Sequence, residues 1–227
     1  MQTLSRHISV ESLISRQIEL WRQKQRRPQN GDVFPGNLTI SRDFGGRGNE
    51  LAARLSEITG WKVYDREIVD YIAQNAHVRR ALVESFDEKT RKELDIMLSS
   101  LLNATSFSKE TYLKYLIKTV LSIGAHGRAV FLGRGAHLIL PDEQALKIRV
   151  VEEIEDRLKN NSAADIERED KARAAFIQRM FGVDIDRPNH YHLVLNLSRL
   201  EIEPAALMLV HLIRLKFGDP HRKKSEP

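Results

Sequence analysis

The stretch LTISRDFGGRGNELAARLSEITGW, Leu38 to Trp61, decides how this chain is read. NLTIS is a short apolar run with the look of a strand, and RDFGGRGNE follows as a glycine-rich turn. Asn49 to Thr59 then has the apolar spacing of a helix, Gly60 stops it, and WKVYD reads as a second strand. Strand, glycine turn, helix and strand make one β-α-β unit.

In open α/β sheets ligands lie beyond the carboxyl ends of the strands, and the first strand-to-helix turn commonly cradles phosphate. Such a cradle needs backbone N–H groups aimed at the anion, helped by the positive end of the helix dipole. Glycines let the chain wrap closely. Gly45, Gly46 and Gly48 meet that need, with Arg42 and Arg47 as nearby cations. The full phosphate-loop pattern is G-x-x-x-x-G-K-S/T, whose lysine reaches the terminal phosphates and whose hydroxyl holds magnesium. Here the lysine place falls on Gly48 and the hydroxyl place on Asn49. From these residues alone the turn is either an altered anion cradle or a structural turn.

At 227 residues the chain suits one α/β domain with insertions, or a domain with a small subdomain. It contains no cysteine, which excludes disulfides, thiolate metal sites and cysteine nucleophiles and fits a reducing compartment. Met1 to Arg27 is charged throughout, without the apolar core of a signal peptide. No apolar run approaches the about 18 residues of a membrane span. A soluble cytoplasmic protein without membrane contact is therefore expected. The net charge of +5 is interleaved rather than clustered, and the tail HRKK, His221 to Lys224, reads as a solvated end. Small phosphorylated molecules are expected as partners, and nucleic acid is not.

Further along, SVESLISRQIELWRQKQRR places Val10, Leu13, Ile14, Ile18 and Trp21 on one helical stripe, and PQNGDVFPGN breaks the chain after it. Residues 1–35 thus read as an amphipathic arm and linker before a main domain at 36–227. The arm's stripe either docks on its own core or forms a homodimer contact. From 66 to about 125 the chain is largely helical. RAVFLGRGAHLIL is a buried strand running into a glycine turn, ALKIRVV another strand leading into EEIEDRLKN, and YHLVLNLS a late strand. Ala163 to Phe181 forms a long charged helix, and EIEPAALMLVHLIRLKFG closes the chain. Strands alternating with helices predict a parallel sheet covered on both faces.

Taken in order, LTISRDFGGRGNELAARLSEITGWKVYDREIV, VFLGRGAHLIL and YHLVLNLSRLEIEPAALMLV resemble the cytidylate kinase-like family, a divergent branch of the nucleoside monophosphate kinases. The resemblance covers roughly Leu38 to Phe217. It implies an α/β P-loop kinase fold, a parallel sheet flanked by helices, with a helical acceptor-binding insertion at about 66–125 and a lid at about 157–182. It implies ATP and Mg²⁺ as cofactors and phosphoryl transfer to a nucleoside monophosphate, CMP or dCMP foremost.

Carried over position by position, Arg42, Gly45, Gly46, Gly48 and Asn49 become phosphate-loop positions, and Arg47 a substitute phosphate cation. YDRE resembles a second-strand motif whose aspartate lies near the acceptor phosphate, which makes Asp65 a candidate for orienting substrate or metal-bound water. An N-cap on the following helix is its other reading, and the two are compatible. GRG resembles the GRD turn whose arginine holds the acceptor phosphate, so Arg134 inherits that role, while Gly135 replaces the aspartate. EREDKARAAFIQR resembles the D-x-x-R lid stretch and matches Asp170 with Arg173, beside Arg157, Arg168 and Arg179. A solvated, ion-paired helix explains any single one of these arginines better, while one or two of the set are expected to act on phosphate.

Three other readings are weaker. His190, His192 and Asp186 are too few to define a metal site, FGGRGNE is not a dinucleotide fingerprint, and Ser41 lacks a nucleophile elbow. A nucleotide-binding regulatory or interaction module on a kinase fold, with little or no catalysis, is the alternative to a kinase. The absent lysine and hydroxyl and the presence of Gly135 speak for it.

Overall fold

A computed structural model describes residues 16–20, 36–103 and 111–218. Five strands, β1 (Asn37–Arg42), β2 (Lys62–Tyr64), β3 (Ala129–Leu132), β4 (Ala145–Val151) and β5 (Leu193–Asn196), form one sheet in the order β2-β3-β1-β4-β5. Every neighbouring pair is parallel. Strand β1 is central, so the chain leaves it at the middle of the carboxyl edge, where the order switches direction and a crevice forms.

The helices are α1 (Gly48–Thr59), α2 (Arg66–Gln74), α3 (Ala76–Glu84), α4 (Glu88–Asn103), α5 (Thr111–His126), α6 (Ala136–Ile139), α7 (Ile154–Arg157), α8 (Ala163–Phe181) and α9 (Ile202–Phe217). Their ends follow capping chemistry. Gly60, at φ 69°, ends α1 by returning its N–H to Ser56 O at 2.8 Å. Asn75 starts α3 by accepting from the N–H groups of His77 and Val78, and Ser162 starts α8 by accepting from Asp165 N at 3.1 Å. Alternation along the strands divides the core in two. Leu38, Ile40, Val130, Leu132, Ile148 and Val150 face α1 and α9, whereas Tyr64 and Phe131 face the inserted helices and α8. Asn37 ties the base of the sheet together, donating to Gly124 O at 2.9 Å and Gln144 O at 3.0 Å and accepting from Ala129 N at 3.3 Å.

One part of the second face is polar. Thr39 and Ser41 on β1 align with Lys147 and Arg149 on β4, so charge is buried under the crevice.

The parallel sheet covered on both faces is as expected. A local boundary differs: helix α1 begins one residue earlier than its spacing indicated, at Gly48. EEIEDRLKN contains the four-residue α7, and His190 ends a 3₁₀ turn, Pro188–His190, ahead of β5. Within the amino-terminal arm only residues 16–20 are described; they are helical, and Ile18 is buried in the core of the inserted helices. The rest of the arm, Ser108 and the HRKK tail lie outside the described residues. Among the described residues no helix is long and apolar enough to cross a membrane.

Candidate functional site

Three strand ends build the site. Strand β1 ends at Arg42 and the turn Asp43–Arg47 feeds α1; β3 ends at Leu132 and Gly133–Gly135 feeds α6; β4 ends at Val151 and is followed by Glu152.

The first turn is tightly specified. Gly45 has φ 78°, and a Cβ there would lie 2.7 Å from Asn161 Nδ2. A Cβ on Gly48 would lie 2.9 Å from Arg42 Cβ, because the Arg42 stem crosses the start of α1 and its Nε donates to Asn49 Oδ1 at 2.8 Å. Arg42 thus fills the place where the full phosphate-loop pattern has its lysine.

Two amides of this turn hold carboxylates. Arg47 N donates to Glu152 Oε1, and Phe44 N donates to Asp170 Oδ1 at 2.8 Å. Guanidinium groups back both carboxylates. Arg47 Nε is 3.8 Å from Glu152 Oε2, and Arg157 Nη2 donates to Asp170 Oδ2 while its Nε donates to Phe44 O at 2.8 Å. Below them Arg149 Nη2 reaches Asp43 at 2.6 Å and Asp186 at 2.7 Å. Burial opposes the Arg149 charge, yet Asp43 and Asp186 outweigh it and its pKa is raised.

The second turn opens on a cavity of about 560 Å³ between the sheet edge, α2 and α8. Gly133, Arg134 and Gly135 all have positive φ, 79°, 54° and 69°; at Arg134 this is an uncommon conformation for a side-chain-bearing residue. A Cβ on Gly135 would be 2.3 Å from the Phe181 ring, which explains in packing terms why no aspartate stands there. Arg134 donates from Nε to Asp70 Oδ1 at 2.7 Å and from Nη2 to Asp70 Oδ2, with its guanidinium 4.6 Å above the Phe176 ring. Asp70 also accepts from Tyr112 Oη at 2.6 Å.

Arg173 reaches in from α8. Its Nη1 donates to Arg42 O at 2.9 Å and its guanidinium lies 5.4 Å from the Phe44 ring centre. Burial pulls both cations down, Arg42 to about 10 with Arg173 adding to the effect and Asp65 opposing it, so Arg42 stays charged at neutral pH.

The structure brings Arg42, Arg134 and Arg173 to one cavity, with Arg66 and Arg179 also in its wall. Gly46 and Arg47 lie against Glu152 and Gly45 against Asn161, outside the wall of that cavity. Asp65 caps α2 through Ile68 N at 3.0 Å, and its charge is felt by Arg42. Arg157 lies buried beneath the first turn, while Arg168 is exposed and paired with Asp165 at 2.7 Å. Sequence reasoning missed Asp43, Arg66, Asp70, Arg149 and Glu152. Asp43 and Glu152 carried a signal, since each directly follows a strand at its carboxyl end. Among the described residues no group of three or more His, Asp or Glu is placed to hold a metal ion. His192 Nδ1 accepts from Lys147 N at 3.1 Å and Asp186 pairs with Arg149.

Residues 37–199 match the family model described as the cytidylate kinase-like family. The chain belongs to the cytidylate kinase-like family. No curated protein matches its sequence. Among solved structures, an uncharacterized protein from Eubacterium ventriosum ATCC 27560 is 16% identical, with 80% of this chain and 99% of that chain covered at a TM-score of 0.60. Two shikimate kinases are more distant. The one from Acinetobacter baumannii, in complex with shikimate, is 11% identical over 78% of this chain and 92% of its own (TM-score 0.42). The one from Bacteroides thetaiotaomicron is 12% identical over 79% and 98% (TM-score 0.42). The first of the three shows that this cytidylate kinase-like chain shares its fold across nearly the whole of another protein.

Proposed function

We propose that the chain binds a nucleoside monophosphate, CMP or dCMP foremost, in the arginine-lined cavity and serves ATP-dependent phosphoryl transfer to it. The observation that carries this reading is the convergence of Arg42, Arg134 and Arg173 from three separate elements on one cavity of about 560 Å³. That volume suits a small organic ligand, and its permanent positive charge suits a phosphate monoester. Arg134 grips the acceptor phosphate with the two N–H groups that otherwise serve Asp70, and Phe176 keeps the guanidinium flat against the wall. Arg42 and Arg173 lie between the two turns, where the charge of a moving phosphoryl group needs stabilising. Helices α2–α5 act as the acceptor-binding insertion and α8 as the lid. Asp65 orients α2 by capping it and adds negative charge beside Arg42.

In kinases of this kind ATP supplies the phosphoryl group and Mg²⁺ offsets phosphate charge. The first turn as arranged does not fit them. Its Arg47 and Phe44 amides hold Glu152 and Asp170, and Asn49 Oδ1 is engaged by Arg42. The same contacts favour the second reading, a nucleotide-binding regulatory or interaction module with little or no catalysis.

The test is ADP release with Mg-ATP across a panel of nucleoside monophosphates, beside calorimetric titration with CMP. Turnover that depends on CMP or dCMP and disappears in Arg134→Ala supports the kinase. CMP binding without turnover supports the module. Absence of binding across the panel overturns both.

A further inference from the structure

We infer that the first turn is a working anion site latched by an internal anion, the carboxylate of Glu152, so that an entering phosphate chain must displace it. This rests on the kinase-like reading of that turn. Glu152 is held by the groups that grip a phosphate oxygen: a backbone N–H at the start of α1 and a guanidinium, that of Arg47. It also lies against the glycine that gives the turn its room, since a Cβ on Gly46 would stand 3.0 Å from Glu152 Oε1. Its side chain is 3% exposed, so the carboxylate is a packed part of the turn rather than a passing surface contact.

A second carboxylate completes the occupation. Asp170 accepts from Phe44 N and is backed by Arg157, repeating the amide-plus-guanidinium grip at the other end of the turn. Asp170 arrives on α8, the helix that also brings Arg173 to Arg42. The latch and the cavity wall are therefore joined through one helix. A turn unable to bind anions would not hold two carboxylates this way. A turn open to phosphate would not have these two amides taken. Polyphosphate entering beside a buried carboxylate meets like charge at close range in a medium of low dielectric, and it finds the Phe44 and Arg47 amides already held. Displacing Glu152 and Asp170 frees both amides and the guanidinium edges turned toward these carboxylates, while Arg47 keeps its bond to Leu197 O and Arg157 its bond to Phe44 O.

The test uses the full chain and inorganic tripolyphosphate as probe, followed by calorimetry. If the turn is open for about one-tenth of the time or less, Glu152→Gln tightens binding by about tenfold or more over the natural chain. Asp170→Asn gives a smaller gain in the same direction, and carries the test alone if Glu152→Gln does not fold. The gain must persist when Arg134→Ala is added, which places the probe at the turn rather than in the cavity. Equal or weaker binding by the Glu152 and Asp170 variants, no binding by any variant, or a gain abolished by Arg134→Ala overturns the latch. CMP is titrated separately. Its failure to bind removes the acceptor reading and leaves the tripolyphosphate result to decide the latch.

Discussion

Two glycine turns lie side by side on the same sheet edge, one after β1 and one after β3, and they differ in charge balance. Around the first, the carboxylates of Asp43, Asp186, Glu152, Glu201 and Asp170 meet the guanidiniums of Arg149, Arg47 and Arg157, five against three. Around the second, the cavity wall carries Arg42, Arg66, Arg134, Arg173 and Arg179 against Asp70 and Glu169. The first turn satisfies itself. In the wall of the second, arginines outnumber carboxylates. Backbone shape alone would have ranked the first turn as the better anion site, and its neighbours reverse that order.

The sharpest break of this comparison comes from removing one cation on each side. Arg149 is buried between Asp43 and Asp186, so Arg149→Ala leaves uncompensated negative charge within the fold. Loss of one partner from a buried pair destabilises by about 3–5 kcal/mol. Urea denaturation should show a loss of that order. A loss below about 1 kcal/mol would mean that the first turn is not held together by its ion pairs.

Arg134→Ala should act on ligand rather than fold. Two charge-assisted hydrogen bonds at about 1.5 kcal/mol each correspond to roughly 100-fold weaker CMP binding. Asp70 is left with Tyr112 and, 3.8 Å away, Arg66, which limits the damage to stability. Unchanged CMP affinity in a folded variant would move the acceptor phosphate elsewhere.

The positive excess of the cavity should also be insensitive to pH. His137 follows the second turn and lines the cavity, but its imidazole is pushed down to about 3, first by burial and then by Lys147, His190 and Arg149. Unfolded, it titrates near ~6.5. As pH falls below that value the unfolded chain gains a proton and the folded chain does not. The contribution of His137 is therefore complete above about pH 6.5 and lost progressively toward about 3, amounting to about 2 kcal/mol between pH 7 and 5. His137→Phe, which keeps a ring against Tyr191, should flatten that part of the stability–pH curve. An unchanged slope would mean that His137 takes up its proton as readily in the folded protein as in the unfolded chain.

The parallel sheet was legible because its cues are local. Apolar runs, Gly60 and the glycine turns each specify their own few residues, and periodicity gives the layers. Some arginines of the cavity stand at motif positions, as Arg134 does in GRG and Arg173 in EREDKARAAFIQR, whereas Arg66 carried no such cue. What could not be read was pairing at a distance. Glu152 lies 105 residues from Arg47, and Asp170 lies 126 residues from Phe44. Nothing in either sequence neighbourhood indicates that a carboxylate folds back onto the glycine turn. An empty cradle and a filled one have the same sequence signature, since the glycines are required by backbone geometry in both. The replacement of lysine was half visible: Gly48 marked the vacancy, and only the fold shows that the Arg42 stem crosses it.

The smallest effect concerns Asp65, next in sequence to the cavity-lining Arg66, where a cap and a charge near Arg42 come from one side chain. As the N-cap of α2 it accepts from Ile68 N at 3.0 Å, and loss of such a cap costs about 1 kcal/mol. Serine caps as well as aspartate does but carries no charge. If capping is the whole role, Asp65→Ala lowers stability by about 1 kcal/mol and Asp65→Ser restores it, with CMP-dependent activity following stability in both. If the charge beside Arg42 matters to the chemistry, Asp65→Ser restores the denaturation midpoint but not turnover, and the two measurements separate. That separation would extend the cavity's functional wall from α8 and the second turn to the start of α2. Its absence would leave Asp65 a structural cap and confine the charge difference between the two turns to the arginines and the carboxylates that meet them.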